Sequence, residues 1–151
     1  MVKYISRKEE ISLLRLANFV KSVDKDFTPP LTGRVDIEEW IDKIYSKGSI
    51  VIAESKGEYI GCILFYSNDT ESKKGYIAYL AVDSKYRRLG VAKSMLDRCV
   101  DISRNNNMIS IAVYTNNPGA LKLYLSRGFQ IGVSQVIEEY GVIRTLLNKQ
   151  L

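Results

Sequence analysis

The 151-residue sequence contains no histidine. That removes the commonest general base, the serine-protease type of triad and most catalytic zinc sites. Cysteine is scarce. Cys62 and Cys99 stand far apart, in no metal-ligand or redox spacing, and read as free buried thiols. No metal is expected. Long apolar runs are missing too: nothing approaches the ~20 residues needed to span a bilayer, so no membrane partner is expected. The opening stretch MVKYISRKEE lacks the apolar segment of a signal peptide, which points to a cytoplasmic chain.

What is present suits an ordinary globular protein, with 46% hydrophobic and 26% charged residues. The length predicts a single domain over residues 1–151. Net charge is +5, but the lysines and arginines are scattered, with no zinc-finger or basic-zipper pattern. An anionic small molecule therefore fits better than nucleic acid, and no nucleic-acid partner is expected.

The pattern along the chain predicts the order β-α-α-β-β-β-α-β-α-β-β. MVKYIS reads as a short first strand. Ser6 and Glu9 then form an S-x-x-E capping box, predicted to open a helix carrying Ile11, Leu14 and Ala17. Pro29 and Pro30 break it. Asp36 caps a second helix, with Ile37, Trp40, Ile41 and Ile44 at helical spacing, ended by Gly48. SIVIAE and YIGCILFY are strands joined as a hairpin at Lys56-Gly57-Glu58, and GYIAYLAV is a third. A helix with Val91, Met95, Leu96 and Cys99 on one face follows, then the strand MISIAVY. The helix NPGALKLYLS, stopped by Gly128, and the strands FQIGVSQVI and GVIRTLL close the chain. Helical crossovers beside hairpins make a mixed α/β sheet.

The stretch DSKYRRLGVAKSML raises a question of charge. Helix starts are partially positive and favour Asp, Glu, Ser or Thr. This one begins with Arg87 and Arg88, then Lys93, and has no acid between Tyr86 and Leu96. The arginines make sense if an anion sits there, because strand, loop, glycine, helix presents backbone N–H groups to a phosphate. A Walker loop and a dinucleotide fingerprint both lack their glycines here. R-x-x-G-x-A is present instead, as Arg87, Gly90 and Ala92.

Downstream, NNPGALKLYLSRGF holds Asn117, Ala120, Leu123, Tyr124, Gly128 and Phe129 in an N-x-x-A-x-x-L-Y-x-x-x-G-F pattern. The loop and this segment together resemble the GNAT superfamily of acetyl-CoA-dependent N-acetyltransferases. The resemblance covers essentially the whole chain and implies a mixed, mostly antiparallel central sheet flanked by helices. It also implies that the amides of Arg87, Arg88, Leu89, Gly90, Val91, Ala92 and Lys93 hold the pyrophosphate of acetyl-CoA. By the same likeness, backbone near Leu80, Ala81 and Val82 pairs with the pantetheine arm and acetyl carbonyl, and Asn117 contacts the arm. Tyr124 is implied as proton donor to the leaving thiolate, which suits a phenol with pKa near 10 against roughly 8.5 for a thiol.

An attacking amine must lose a proton, and members acting on protein N-termini often carry a glutamate on the strand before the Asn segment. Ala112 stands there, and neither flanking strand carries a carboxylate. Candidate substitutes are a water chain, Asp24, Asp26, Glu138 or Glu139. The expectation is direct acetyl transfer in a ternary complex to a small-molecule amine, such as an amino sugar or amino acid. Phe27, beside Pro29 and Pro30, would form a stiff acceptor lip, and Arg34 would meet an acceptor carboxylate or phosphate. The alternatives are a protein or peptide N-terminal or lysine acetyltransferase, and a non-catalytic acyl-CoA binding module. A monomer or homodimer is expected.

Overall fold

The computed structural model describes residues 1–137 and 141–151. In chain order the elements are β1 (Lys3–Ile5), α1 (Leu13–Val23), α2 (Ile37–Lys47), β2 (Ser49–Ser55), β3 (Glu58–Tyr66) and β4 (Lys74–Val82). They continue with α3 (Val91–Asn105), β5 (Ser110–Thr115), α4 (Pro118–Ser126), β6 (Gln130–Ile137) and β7 (Val142–Gln150). The order is the one expected from the sequence. A seven-stranded sheet runs β1-β2-β3-β4-β5-β7-β6, and every pairing is antiparallel except β4 with β5.

Each face of the sheet buries its own core. Leu16, Val20, Ile41 and Ile44 from α1 and α2 close one face with Ile52 and Leu64. Met95, Leu96 and Cys99 of α3 close the other with Ile63, Ile111 and Phe129. A fully buried aliphatic side chain contributes about 1.5–3 kcal/mol, so these two apolar stripes fix which face each helix covers. Among the described residues, no helix is long and apolar enough to cross a membrane. Both cysteines are free and buried, and burial pushes both thiols well above their ordinary pKa.

The first helix departs from expectation. Residues 8–10 form a separate 3-10 turn, and α1 starts at Leu13, where the side chain of Ser12 accepts from Arg15 N at 3.2 Å. Ser6 and Glu9 make no capping box. Ile11 is extended and buried, and Ser12 N donates to Tyr59 Oη at 3.0 Å, so the chain is pinned to β3 before it can coil. Leu14 consequently points outward, at 71% exposure. The Asp36 cap holds, accepting from Glu39 N at 3.0 Å. The β2–β3 turn is tighter than read: Glu58 pairs with Ser55, and only Lys56 and Gly57 turn, both with positive φ.

Two features of β4 open a site. Leu64 pairs with Tyr79 and Phe65 with Ile77, so Ala78 is an extra residue, a bulge. Ala78 and Tyr79 both pack on the α1/α2 side, while Ile77 packs on the other. Pairing with β5 runs from Lys74–Ser110 to Ile77–Val113 and stops, although β4 continues to Val82 and β5 to Thr115. The two parallel strands splay apart from the bulge onward.

Candidate active site

A groove of about 1340 Å³ occupies this splay. That exceeds the ~300–1,000 Å³ of an ordinary ligand pocket, leaving room for two substrates. Residues 78–82 line it with backbone that has no partner strand on the β5 side. Leu80, Ala81 and Val82 line the groove, with Ala81 and Val82 buried and all three paired to β3 on their other side.

At one end of the groove, Arg88, Gly90, Val91, Ala92 and Lys93 wrap the start of α3. Arg88 and Gly90 both adopt left-handed backbone, with φ of 65° and 78°. Nothing lies within 4 Å of a Cβ built on Gly90, so its positive φ, and not tight packing, explains the glycine. No acid stands in the first turn of α3, and Gly90 supplies no side-chain cap. The leading N–H groups thus remain available to an anion. Leu89 is 68% exposed beside them.

Arg87 behaves differently from its neighbour. Its Nε donates to Val82 O at 3.2 Å and its Nη2 meets Asp26 Oδ2 at 2.8 Å. The guanidinium expected to add charge beside a pyrophosphate is turned instead to the far wall. Sequence reading missed this contact because 61 residues separate the partners.

From the β5 side come Asn117 and Tyr124. Asn117 caps α4, its Oδ1 accepting from Ala120 N at 3.0 Å, so only its amide nitrogen is left to face a ligand. Tyr124 lines the groove although only 2% exposed, with its ring tilted against Phe129 at 5.3 Å. Burial raises its pKa above the ordinary phenol value, because a phenolate there would lose its hydration.

The wall where the sequence reading expects the acceptor is the segment between α1 and α2. Phe27 stacks on Tyr79 at 4.9 Å, and Trp40 meets the same ring edge-on at 5.4 Å. Asp24 is no free base. It is buried and accepts from Leu31 N at 2.7 Å, Thr32 N at 2.9 Å and the Thr32 hydroxyl. Burial pushes its carboxyl up, but the Thr32 hydroxyl and those N–H groups outweigh burial and hold it below the usual range. Arg34 lines the groove, yet its Nε and Nη2 donate to Pro30 O at 2.8 Å and Pro29 O at 3.3 Å. It braces its own loop while facing the groove. Glu138 and Glu139 lie outside the described residues.

Among the described lining residues the cations are Arg34, Arg87, Arg88, Lys93, Lys122 and Arg144, and the one carboxylate is Asp26. Arg144 stacks its guanidinium over Tyr114, 4.4 Å from the ring centre. Neither was singled out beforehand, since nothing local marks a β7 residue as facing β5. No group of three or more potential metal-binding acids or cysteines occurs among the described residues. The arrangement is a basic, two-ended groove with backbone donors at its middle and a buried phenol beside them.

Residues 16–129 match the family model described as Acetyltransferase (GNAT) family, and the chain belongs to that family. Its members take the acetyl group from acetyl-CoA and need no metal. N-alpha-acetyltransferase 30 of Xenopus laevis is 27% identical over 135 residues, which cover 85% of this chain and 46% of that protein. Its namesake from Saccharomyces cerevisiae is 29% identical over 125 residues, or 76% of this chain and 69% of the other. The chain thus spans about half the length of the Xenopus relative it matches. Among solved structures, the NatC complex bound to Gag peptide and CoA superposes with a TM-score of 0.78 at 22% identity, covering 99% of this chain and 98% of that one.

Proposed function

We propose that this protein transfers the acetyl group of acetyl-CoA to the α-amine of a peptide or protein N-terminus, in a ternary complex. The observation that carries the acceptor is the likeness to N-alpha-acetyltransferases over most of the chain. It outweighs the small-molecule acceptor expected from the sequence. The absence of a glutamate at Ala112 pointed toward a small amine, but amine chemistry weakens that inference. An α-ammonium has a pKa near 8 and a lysine-type ammonium near 10.4, so at pH 7 the former supplies a few hundred times more free base. An α-amine is the acceptor that least needs a strong base.

In this reading the pyrophosphate rests on the amides that open α3, with Arg88 and Lys93 adding charge. The pantetheine arm enters between β4 and β5, where residues 78–82 offer unpaired backbone. The acceptor nitrogen attacks the thioester carbonyl, and a β4 amide stabilises the resulting oxyanion. As the carbon–sulfur bond breaks, Tyr124 gives its proton to the thiolate and regains one from water once coenzyme A leaves. The attacking nitrogen loses its proton to water.

The test offers labelled acetyl-CoA with three acceptors: peptides with free N-termini, the same peptides N-blocked but containing lysine, and a panel of amino sugars and amino acids. Mass spectrometry should find label on α-nitrogens of the first set. Label confined to the small amines, or to lysine, would overturn the acceptor assignment.

A further inference from the structure

We propose that Asp26 and Asn116 are positioning residues that transmit occupancy of the cofactor end of the groove to the acceptor wall. The proposal rests on the acetyl-transfer reading and extends it to the coupling between the two substrates. Residues 26–28 form a strap attached at both lips of the splay. On the β4 side, Asp26 Oδ2 is held by Arg87 Nη2 at 2.8 Å, and the same guanidinium grips Val82 O at 3.2 Å. On the β5 side, Asn116 Nδ2 donates to Thr28 O. Phe27 lies between these clasps in extended conformation, its ring on Tyr79.

The dimensions fit a bridge. Two extended residues reach ~7 Å, against ~4.8 Å between paired strands. The Asp26, Arg87 and Asn116 side chains add their own reach to those two residues, so the segment can span lips that have parted, as β4 and β5 do beyond Ile77 and Val113. A pantetheine arm seated in that gap fixes the distance between the lips. Through the clasps it also fixes Phe27, the apolar lip of the acceptor side. The two ion-paired side chains are half-exposed, at 49% and 31%, so the Arg87–Asp26 clasp is weak enough to respond to a ligand. Coupling of this kind is reciprocal: whatever acetyl-CoA does for the acceptor, the acceptor does for acetyl-CoA.

Trp40 is the chain's single tryptophan and reports on the strap through the Trp40–Tyr79–Phe27 ring stack. The experiment titrates the full chain with coenzyme A, measuring binding by calorimetry and acrylamide quenching of Trp40 in parallel, with no acceptor present. In the wild type, coenzyme A should cut the quenching constant by about half. In the Asp26→Asn, Asn116→Ala double variant, coenzyme A should bind within about threefold of wild type while the Trp40 response falls below half its size. Asp26→Glu, which keeps the carboxylate, should retain the response. An unchanged Trp40 signal in the wild type, an equal response in the double variant, or loss of coenzyme A binding by that variant would each overturn the proposal. Failure of the wild-type chain to bind coenzyme A overturns it together with the acetyl-transfer reading, and no other outcome touches that reading.

Discussion

The cofactor end and the acceptor wall of this groove are built by different means. In the proposed reading, cofactor-side contacts fall to backbone: the unpaired edge of β4, the left-handed residues Arg88 and Gly90, and the first N–H groups of α3. The acceptor wall is a proline-containing segment held by side chains. Asp24 gathers Leu31 and Thr32, Arg34 braces Pro29 and Pro30, and Arg87 and Asn116 reach in from elsewhere. Backbone recognition requires a fixed spacing of glycine and helix start, so it leaves a pattern in the sequence. Side-chain clasps between residues 61 and 88 positions apart leave none.

That contrast can be broken most forcefully at the chemistry between the two ends. Tyr124→Phe removes a hydroxyl and keeps the ring against Phe129. Turnover should fall about 10²–10⁴-fold, as for loss of a general acid, while calorimetry finds acetyl-CoA affinity unchanged within twofold. An equal turnover number, with chemistry rate-limiting, would leave Tyr124 as core alone.

Asp24→Ala tests the side-chain-built half. It orphans Leu31 N and Thr32 N together, and a buried donor without a partner costs about 1–3 kcal/mol. Denaturant unfolding should register that loss, acceptor KM should rise, and coenzyme A should bind as before. A weakened coenzyme A affinity would mean that the two halves are not separately built.

Gly90→Val tests the backbone-built half. Left-handed backbone costs a residue with Cβ about 1–2 kcal/mol, so acetyl-CoA affinity should drop roughly five- to thirtyfold. Open space does not relieve a positive φ, so the same strain should lower the melting temperature by several degrees without unfolding the chain. Undiminished affinity would remove the anion loop from the mechanism.

The smallest effect is expected from acid. Arg127 pairs with both oxygens of Asp97, at 3.1 and 2.8 Å, and this pair holds the Asp97 carboxyl below its ordinary pKa. Asp24 is held low by Thr32 and Leu31 against the upward push of burial. A depressed carboxyl stabilises the fold above its unfolded pKa of ~3.9 and loses that contribution as pH falls through the lower folded value. Melting temperature should therefore be flat above pH 5 and decline below about pH 4. Asp24→Asn should make the decline shallower.

Much of the fold was legible because apolar periodicity is a local property. The continuous apolar run of β3, the alternation in β4, the helical stripe from Val91 to Cys99, and the Asp36 cap each predict an element from its own residues. The reading of α1 failed where a long-range contact won. A plausible cap at Ser6 lost to the bond between Ser12 and Tyr59, 47 residues away. The site divided in the same way. Gly90, Asn117 and Tyr124 belong to spaced motifs and line one groove, whereas Arg34 looked free in sequence and is engaged by its own loop.

By itself, then, the sequence determined the order of elements, the lack of histidine, and the loop that opens α3. Those follow from neighbours a few positions apart, whose sterics and hydrogen bonding act within a single turn or strand. Only the tertiary structure decided that β4 bulges at Ala78 and leaves β5 at Ile77, that Asp24 is a structural acceptor, and that Arg87 faces Asp26. Each of these depends on which distant segment arrives beside the residue, and that is set by the packing of both cores against one sheet.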